Sequence, residues 1–407
     1  MSEPVRIRGI AAGGDGVGTL ADGRTVFVPR SAPGDLAELG ELRLTRSFAR
    51  GRLVRLLEPG PGRVAPRCRH YESDDCGSCQ LQHLSVEAQR SARSRLVGDA
   101  LRRIAHLTTE DPPLEPSDTE WGYRAKLTLA AKSGRIGYHR LGQPGSVFDL
   151  VQCPIARPEL NRLWQALRAQ RALLPRRLEQ LVLRVDRGGT SHAVFRTAPG
   201  DAWTKGGELG AVLRREGVTA VLWWEPSDGA PRTVFGAKTA YPVMVFEQVH
   251  PVMGDRARAH AIAELGEVAG RHVWDLYAGI GETSRALAQH GATVESVERD
   301  ARAVEVAEAQ GIPGITRIVG QVENVVGRLQ RPDAVVVNPP RTGLAEPVAR
   351  RLGASEAARV IYVSCDPATL ARDLTRLAPA YRLAAVRAFD LFPQSAHVET
   401  VARLERA

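Results

Sequence analysis

The strand-like run Val360-Ile361-Tyr362-Val363 delivers Ser364-Cys365-Asp366-Pro367, and His397-Val398-Glu399 ends 34 positions beyond that cysteine. A thiol at a strand end is a candidate nucleophile, and a separate carboxylate is a candidate proton acceptor. Together they suggest covalent catalysis, with Cys365 attacking and Glu399 removing a proton. Taken singly, each has a plainer explanation. A strand-end cysteine is more often a small buried core residue, and a lone glutamate usually sits on the surface.

Two further blocks change that balance. His272-Val273-Trp274-Asp275-Leu276 reads as a strand, and Gly279-Ile280-Gly281 then opens a helix from Glu282 to His290. Such a glycine turn lets backbone amides approach a ligand closely, and Glu298, 19 positions after Gly279, ends the next strand where a carboxylate can accept both hydroxyls of a ribose. Dehydrogenases that bind NAD share this geometry. The second block, Asn338-Pro339-Pro340-Arg341-Thr342-Gly343, follows an apolar strand and matches the [N/D]-P-P motif of S-adenosylmethionine-dependent methyltransferases. Its two prolines stiffen the loop at the point where donor and acceptor meet.

These residues must be held by more than one core. A chain of 407 residues implies two or three domains. From Val5 to Leu57 the pattern is short strands with turns at Gly13-Gly14, Asp22-Gly23 and Pro33-Gly34, which suits a small β-barrel over residues 1–58. Residues 59–240 hold a long helix candidate, Ser85 to Leu107, and then mostly strands with a helical interlude from Pro158 to Ala172. From 241 to 407 strands and helices alternate, the pattern of a doubly wound parallel sheet. The expected class is α/β, with this sheet preceded by the barrel and a β-rich central domain.

A formal charge of +9 fits a polyanionic partner such as nucleic acid, although a solubilising excess of arginine would give the same number. No apolar run approaches the roughly 18 residues of a membrane span, and the first residues have no apolar signal-peptide core. No membrane association and a cytoplasmic location are therefore expected.

Taken together, the Asp275–Gly281 turn, the Asn338–Arg341 block, Ser364–Pro367 and Pro393-Gln394-Ser395-Ala396-His397-Val398-Glu399 resemble the RNA uracil-5-methyltransferases, over essentially the whole chain. The resemblance implies methyl transfer from S-adenosylmethionine to C5 of a uridine in structured RNA, either rRNA or tRNA. C5 of uracil is a poor nucleophile until a thiolate adds to C6, and that would be the work of Cys365. Glu399 would remove the C5 proton. Gln248 in Phe246-Glu247-Gln248-Val249, Tyr277, Gly279, Glu282, Glu298 and Asn338 would contact the cofactor. Residues 1–58 would be a TRAM domain, an OB-like RNA-binding barrel, and residues 241–407 a class I methyltransferase domain with Rossmann-like topology. The family's helix after the central cysteines packs with the catalytic domain, which points the same way for residues 85–107. Phe246 is a candidate to stack on an extruded base, and Tyr123, Arg124 and Lys126 are candidate RNA contacts. A monomer is the default. Three positions depart from the family: Asn338 stands where Asp is usual, and Glu282 and His250 where Asn is common.

Five cysteines occur, and four of them leave Cys365 apart. Cys68-x7-Cys76-x2-Cys79 crowds three thiols, and Cys153 is the fourth. Members of the family with four such cysteines hold a 4Fe–4S cluster, so the resemblance makes these its ligands. Zinc on four thiolates is the competing metal. Other functions fit part of the pattern. An RNA cytosine-5-methyltransferase also uses a strand-end cysteine, but usually carries a second one after its fourth-strand Asp-x-Pro, where this chain has Arg341. A non-catalytic RNA-binding protein would keep the barrel and the charge but not need Cys365.

Overall fold

A computed structural model describes residues 4–237 and 247–407. The chain forms two compact units, one of Met1–Gln89, Asp118–Thr239 and Pro393–Ala396, the other of Arg90–Ser117, Ala240–Phe392 and His397–Ala407.

In the first unit, residues 5–58 make a six-stranded sheet. Its long strands Leu36–Leu44 and Phe48–Glu58 pair antiparallel, and Thr25–Val28 pairs parallel with the second of them. Alternation turns Val26, Val28, Ala37, Leu39 and Ala49 into a small core with Val5 and Ile7. A second six-stranded sheet is centred on Leu178–Val185 and Ser191–Thr197. The helix Pro158–Ala169 buries Leu160, Leu163, Trp164 and Leu167 in the core shared with that sheet.

The second unit is built on an eight-stranded sheet. Its order is Ile315–Val319, Thr293–Glu298, His272–Leu276, Ala334–Val337, Arg359–Ser364, Glu399–Arg406, Tyr381–Phe389 and Leu114–Glu115. The first five strands run parallel, Glu399–Arg406 runs antiparallel to them, and Tyr381–Phe389, antiparallel to Glu399–Arg406, returns to the common direction. Parallel strands buried on both faces read as unbroken apolar runs, as Ala334-Val335-Val336-Val337 does. After His272–Leu276 the chain fills one side of the sheet, then crosses to Ala334–Val337 on the other. That reversal opens a crevice at the carboxyl ends of these two strands.

The helix expected over 85–107 runs Val86–Arg103, with the Ser85 hydroxyl accepting from the Ala88 amide at 3.2 Å. Its Val97 and Leu101 are fully buried with Trp274, Leu276 and Tyr362 in the core of the second unit. Among the described residues, no helix is long and apolar enough to cross a membrane.

Candidate active site

The strand His272–Leu276 ends in a left-handed turn. Tyr277 has φ 64°, Gly279 φ 56° and Gly281 φ 73°. A tyrosine at positive φ is strained and persists only where its surroundings hold it. Here the Ala278 amide donates to Val297 O at 3.0 Å, and the Gly279 amide donates to Glu298 Oε2 at 2.9 Å. The other Glu298 oxygen accepts from the Asp300 amide at 2.9 Å, so each oxygen retains a lone pair for a ribose hydroxyl.

The turn forms the floor of a cleft with about 700 Å³ of empty space. Gln248, Tyr277, Gly279, Glu282, Asn338 and Glu399 all line it. Gln248 reaches the cleft because Gly254 is bare, since a Cβ there would lie 2.8 Å from Gln248 Cβ. Glu282 pairs with Arg258, which also holds Asp255 at 2.8 Å. Arg258 lines the cleft and carries no motif that would single it out. Phe246 lies outside the described residues.

Cys365 follows the strand Arg359–Ser364 and precedes Asp366, whose carboxylate caps the helix Pro367–Leu377 by accepting from the Thr369 amide at 2.9 Å. Across the antiparallel pair Ser364 faces Thr400, so Glu399 comes level with Cys365. The two acids oppose each other. Burial and the Glu399 charge push the Cys365 thiol up, and Arg341 as cation and hydrogen-bond donor pulls it back. Burial pushes Glu399 up to about 8, again against Arg341. Arg341 Nη2 also lies 3.4 Å from His397 Nε2.

Arg341 is held by its loop. The Arg341 carbonyl accepts from Thr369 Oγ1 at 2.9 Å and the Thr342 carbonyl from Arg372 Nη2 at 2.7 Å. The Leu344 amide donates at 2.8 Å to the fully buried Asp373, which also accepts from Tyr362 Oη at 2.7 Å. One helix, starting just after Cys365, thus fixes the loop that carries Asn338 and Arg341.

The model of the tRNA (uracil-5-)-methyltransferase family matches residues 316–407. The chain is 32% identical to a 23S rRNA (uracil(1939)-C(5))-methyltransferase RlmD of Halomonas elongata, covering 98% of this chain and 88% of that one. It is 30% identical to the RlmD of Methylococcus capsulatus, covering 100% and 98%. The chain belongs to the RNA uracil-5-methyltransferase family. The fold of this methyltransferase is shared with Pyrococcus abyssi tRNA (uracil-54, C5)-methyltransferase, solved in complex with S-adenosyl-L-homocysteine, at a TM-score of 0.77 and 22% identity, covering 99% and 100% of the two chains.

The methyltransferase also gathers its other four cysteines. Cys68, Cys76, Cys79 and Cys153 are buried and line one small cavity in the first unit, together with His70, Gln82 and Tyr138. The long Cys68-x7-Cys76 interval is taken up by a short helix, Arg69–Ser73, so the first cysteine still reaches the cavity. Gln82 Oε1 accepts from the Cys68 amide at 3.2 Å, and Asn161 clasps Cys153 through both its amide and its carbonyl, at 3.0 and 2.9 Å. Burial raises every one of these thiols, Cys153 to about 11. Among the described residues, no three His, Cys, Asp or Glu side chains converge closely enough to hold one metal ion. Tyr123, expected to meet RNA, is instead buried and donates to Pro393 O at 2.8 Å.

Arg341, Arg258 and Asp373 were not legible as site residues. Arg341 stood in a recognised block, so its position beside a candidate nucleophile was the available signal. The other two occupy helix positions that look like any charged surface.

Proposed function

We propose that the protein transfers a methyl group from S-adenosylmethionine to C5 of a uridine in structured RNA through a covalent adduct on Cys365. The observation that carries this reading is the Ser364–Thr400 pairing, which brings Glu399 level with Cys365 at the edge of a cleft lined by Gln248, Tyr277 and Asn338. The Cys365 thiolate adds to C6 and the electron pair moves into an enolate. C5 then takes the methyl group and the sulfonium leaves as the neutral thioether. Glu399 accepts the C5 proton, and elimination of the thiolate restores the C5–C6 double bond. Arg341 favours the thiolate before attack, and it steadies the Glu399 carboxylate that must take the proton.

Glu298 suits the ribose of the cofactor, and Gln248, Tyr277, Gly279, Glu282 and Asn338 its remaining contacts. The relatives named as 23S rRNA enzymes favour ribosomal over transfer RNA. We also read the four buried thiols as ligands of a 4Fe–4S cluster that pins the central domain. Four buried thiols around one cavity fit such a group. Zinc on the same four thiolates is the competing occupant, and it would need all four sulfurs about 2.3 Å from one point. The division at 1–58, 59–240 and 241–407, with the helix in 85–107 packed on the last of these, a cytoplasmic location and a monomeric state complete the proposal.

Intact-mass measurement of the protein with 5-fluorouridine-substituted rRNA and S-adenosylmethionine tests it. The fluorine cannot leave as a proton does, so a methylated adduct should persist and be absent in Cys365→Ala. A wild-type protein that binds this RNA without forming an adduct would sink the mechanism.

A further inference from the structure

Beside the cysteine cavity the first unit carries a second, much larger hollow. It has a volume of about 1080 Å³ and is lined by Arg67, Trp121, Gln152, Arg162, Gln165 and Glu216 among others. That lies at the top of the roughly 300–1,000 Å³ range of small-molecule sites, so its size admits a polymer segment and its lining must say which ligand it takes.

The lining has a definite chemistry. The Arg67 guanidinium lies over the Trp121 ring, 5.1 Å from its centroid. Arg67, Gln152, Arg162 and Gln165 are exposed, whereas Trp121 is half-buried and lines the groove. Glu216 is the one acidic side chain of the lining, and its carboxylate already accepts from Gln170 Nε2 at 3.1 Å. The wall behind Trp121 is rigid. The Gly122 amide donates to Pro154 O at 3.0 Å and the Arg124 amide to Ile155 O at 2.8 Å. Gln152 and Pro154 line both hollows, and Arg67 directly precedes Cys68, so the platform is anchored to the cysteine loops.

We propose that this groove binds an unpaired segment of the substrate RNA, with a base stacked on the Trp121–Arg67 platform and phosphates against Arg67 and Arg162. Stacking on aromatic and guanidinium planes recognises bases that are splayed from a helix, and a duplex keeps those faces covered. Two arginines against one glutamate leave the lining with a net positive charge, which suits a phosphodiester chain. The inference rests on the reading that RNA is the substrate, but not on the chemistry at Cys365.

The test uses the whole protein and an unstructured oligoribonucleotide containing 5-iodouridine. Photocrosslinks should map to the peptide containing Trp121. Trp121→Ala should weaken binding about five- to 150-fold, the loss of one stacked base, while Trp121→Phe should stay within about threefold. Arg162→Gln should reduce the salt dependence of binding by about one phosphate contact. The melting temperatures of these variants should match the wild type, which reports that the unit holding Trp121 and Arg162 folds. Unaltered RNA affinity in Trp121→Ala, crosslinks confined to other segments, or displacement by polyglutamate as readily as by RNA would overturn the proposal. A groove that behaves as expected in a protein that forms no Cys365 adduct would leave it standing while removing the methyl-transfer mechanism.

Discussion

Thr400 donates its hydroxyl to the Ser364 carbonyl at 3.0 Å, directly across the antiparallel pair, and so locks Glu399 level with Cys365. The two groups divide the reaction, so their variants should differ in kind. Cys365→Ala should form no RNA adduct. Glu399→Gln keeps the shape but accepts no proton, so with ordinary uridine RNA it should accumulate the methylated adduct. Its turnover should fall about 10²–10⁴-fold, the usual worth of a positioned base. Denaturing gels that show RNA-shifted protein for Glu399→Gln and none for Cys365→Ala check the division.

The same burial sets a pH dependence. Glu399 goes from an ordinary 4.5 up to about 8, so turnover should climb through about pH 8 as it loses its proton, and should go on climbing at higher pH because the Cys365 thiol is also raised. For stability the sign is the reverse. Between those two values folded Glu399 keeps a proton that the unfolded chain has released, so folding takes up a proton. Its contribution is full below about 4.5 and is lost as pH rises through about 8. Glu399→Gln removes this titration and should gain on the wild type in urea resistance as pH is raised across that window. Urea midpoints for both proteins, measured at several pH values, would decide it. A constant difference would contradict the assigned burial.

Gly343 tests how tightly the loop carrying Arg341 is held. It has φ 77°, and a Cβ there would come within 2.3 Å of Thr369 Cγ2, Arg372 Nη2 and Asp373 Oδ2. Gly343→Ala should therefore cost about 1–3 kcal/mol and move Arg341 away from Cys365. Calorimetry measures the first effect. The pH dependence of Cys365 alkylation measures the second, which should shift to higher pH as the cation withdraws.

How much of this was readable in advance depended on the range of the interaction. Cys365, Asn338 and Gly279 lie at ends of strands whose apolar runs are local signals, and the parallel sheet follows from their alternation with helices. Glu399 was legible only through a resemblance, because its nearness to Cys365 depends on a strand register between distant segments. Arg258 and Asp373 are charged residues on helices, and only the fold separates a buried Asp373 holding a loop amide from a solvated aspartate. The long Cys68–Cys76 interval looked irregular in sequence because nothing local announces that Arg69–Ser73 is helical.

Glu298 offers a test of the cofactor site that is independent of RNA. Its carboxylate satisfies the Gly279 and Asp300 amides and has lone pairs left for a ligand. Glu298→Ala strands both donors and removes the acceptor, and hydrogen bonds to charged groups are worth about 1.5–3 kcal/mol each. S-adenosylmethionine should bind at least about tenfold more weakly by calorimetry. Equal affinity in the variant would move the ribose elsewhere in the cleft.

The four-cysteine cavity makes the last prediction. Cys79 and Cys153 are raised by burial and by neighbouring thiols, so without a cation the set stays protonated and unreactive. A bound cluster would replace those protons with metal charge and link residues 68–79 to residue 153, closing a long loop. Anaerobically purified protein should therefore contain iron and acid-labile sulfide. Removing them with an oxidant and chelator should lower the melting temperature by several degrees, and Cys153→Ser should do the same. The S-adenosylmethionine affinity should survive, because the cleft belongs to the other unit. Stoichiometric zinc in place of iron would contradict the cluster. An unchanged melting temperature after full removal would show that the cysteine loops hold their shape through contacts such as the Asn161 clasp alone.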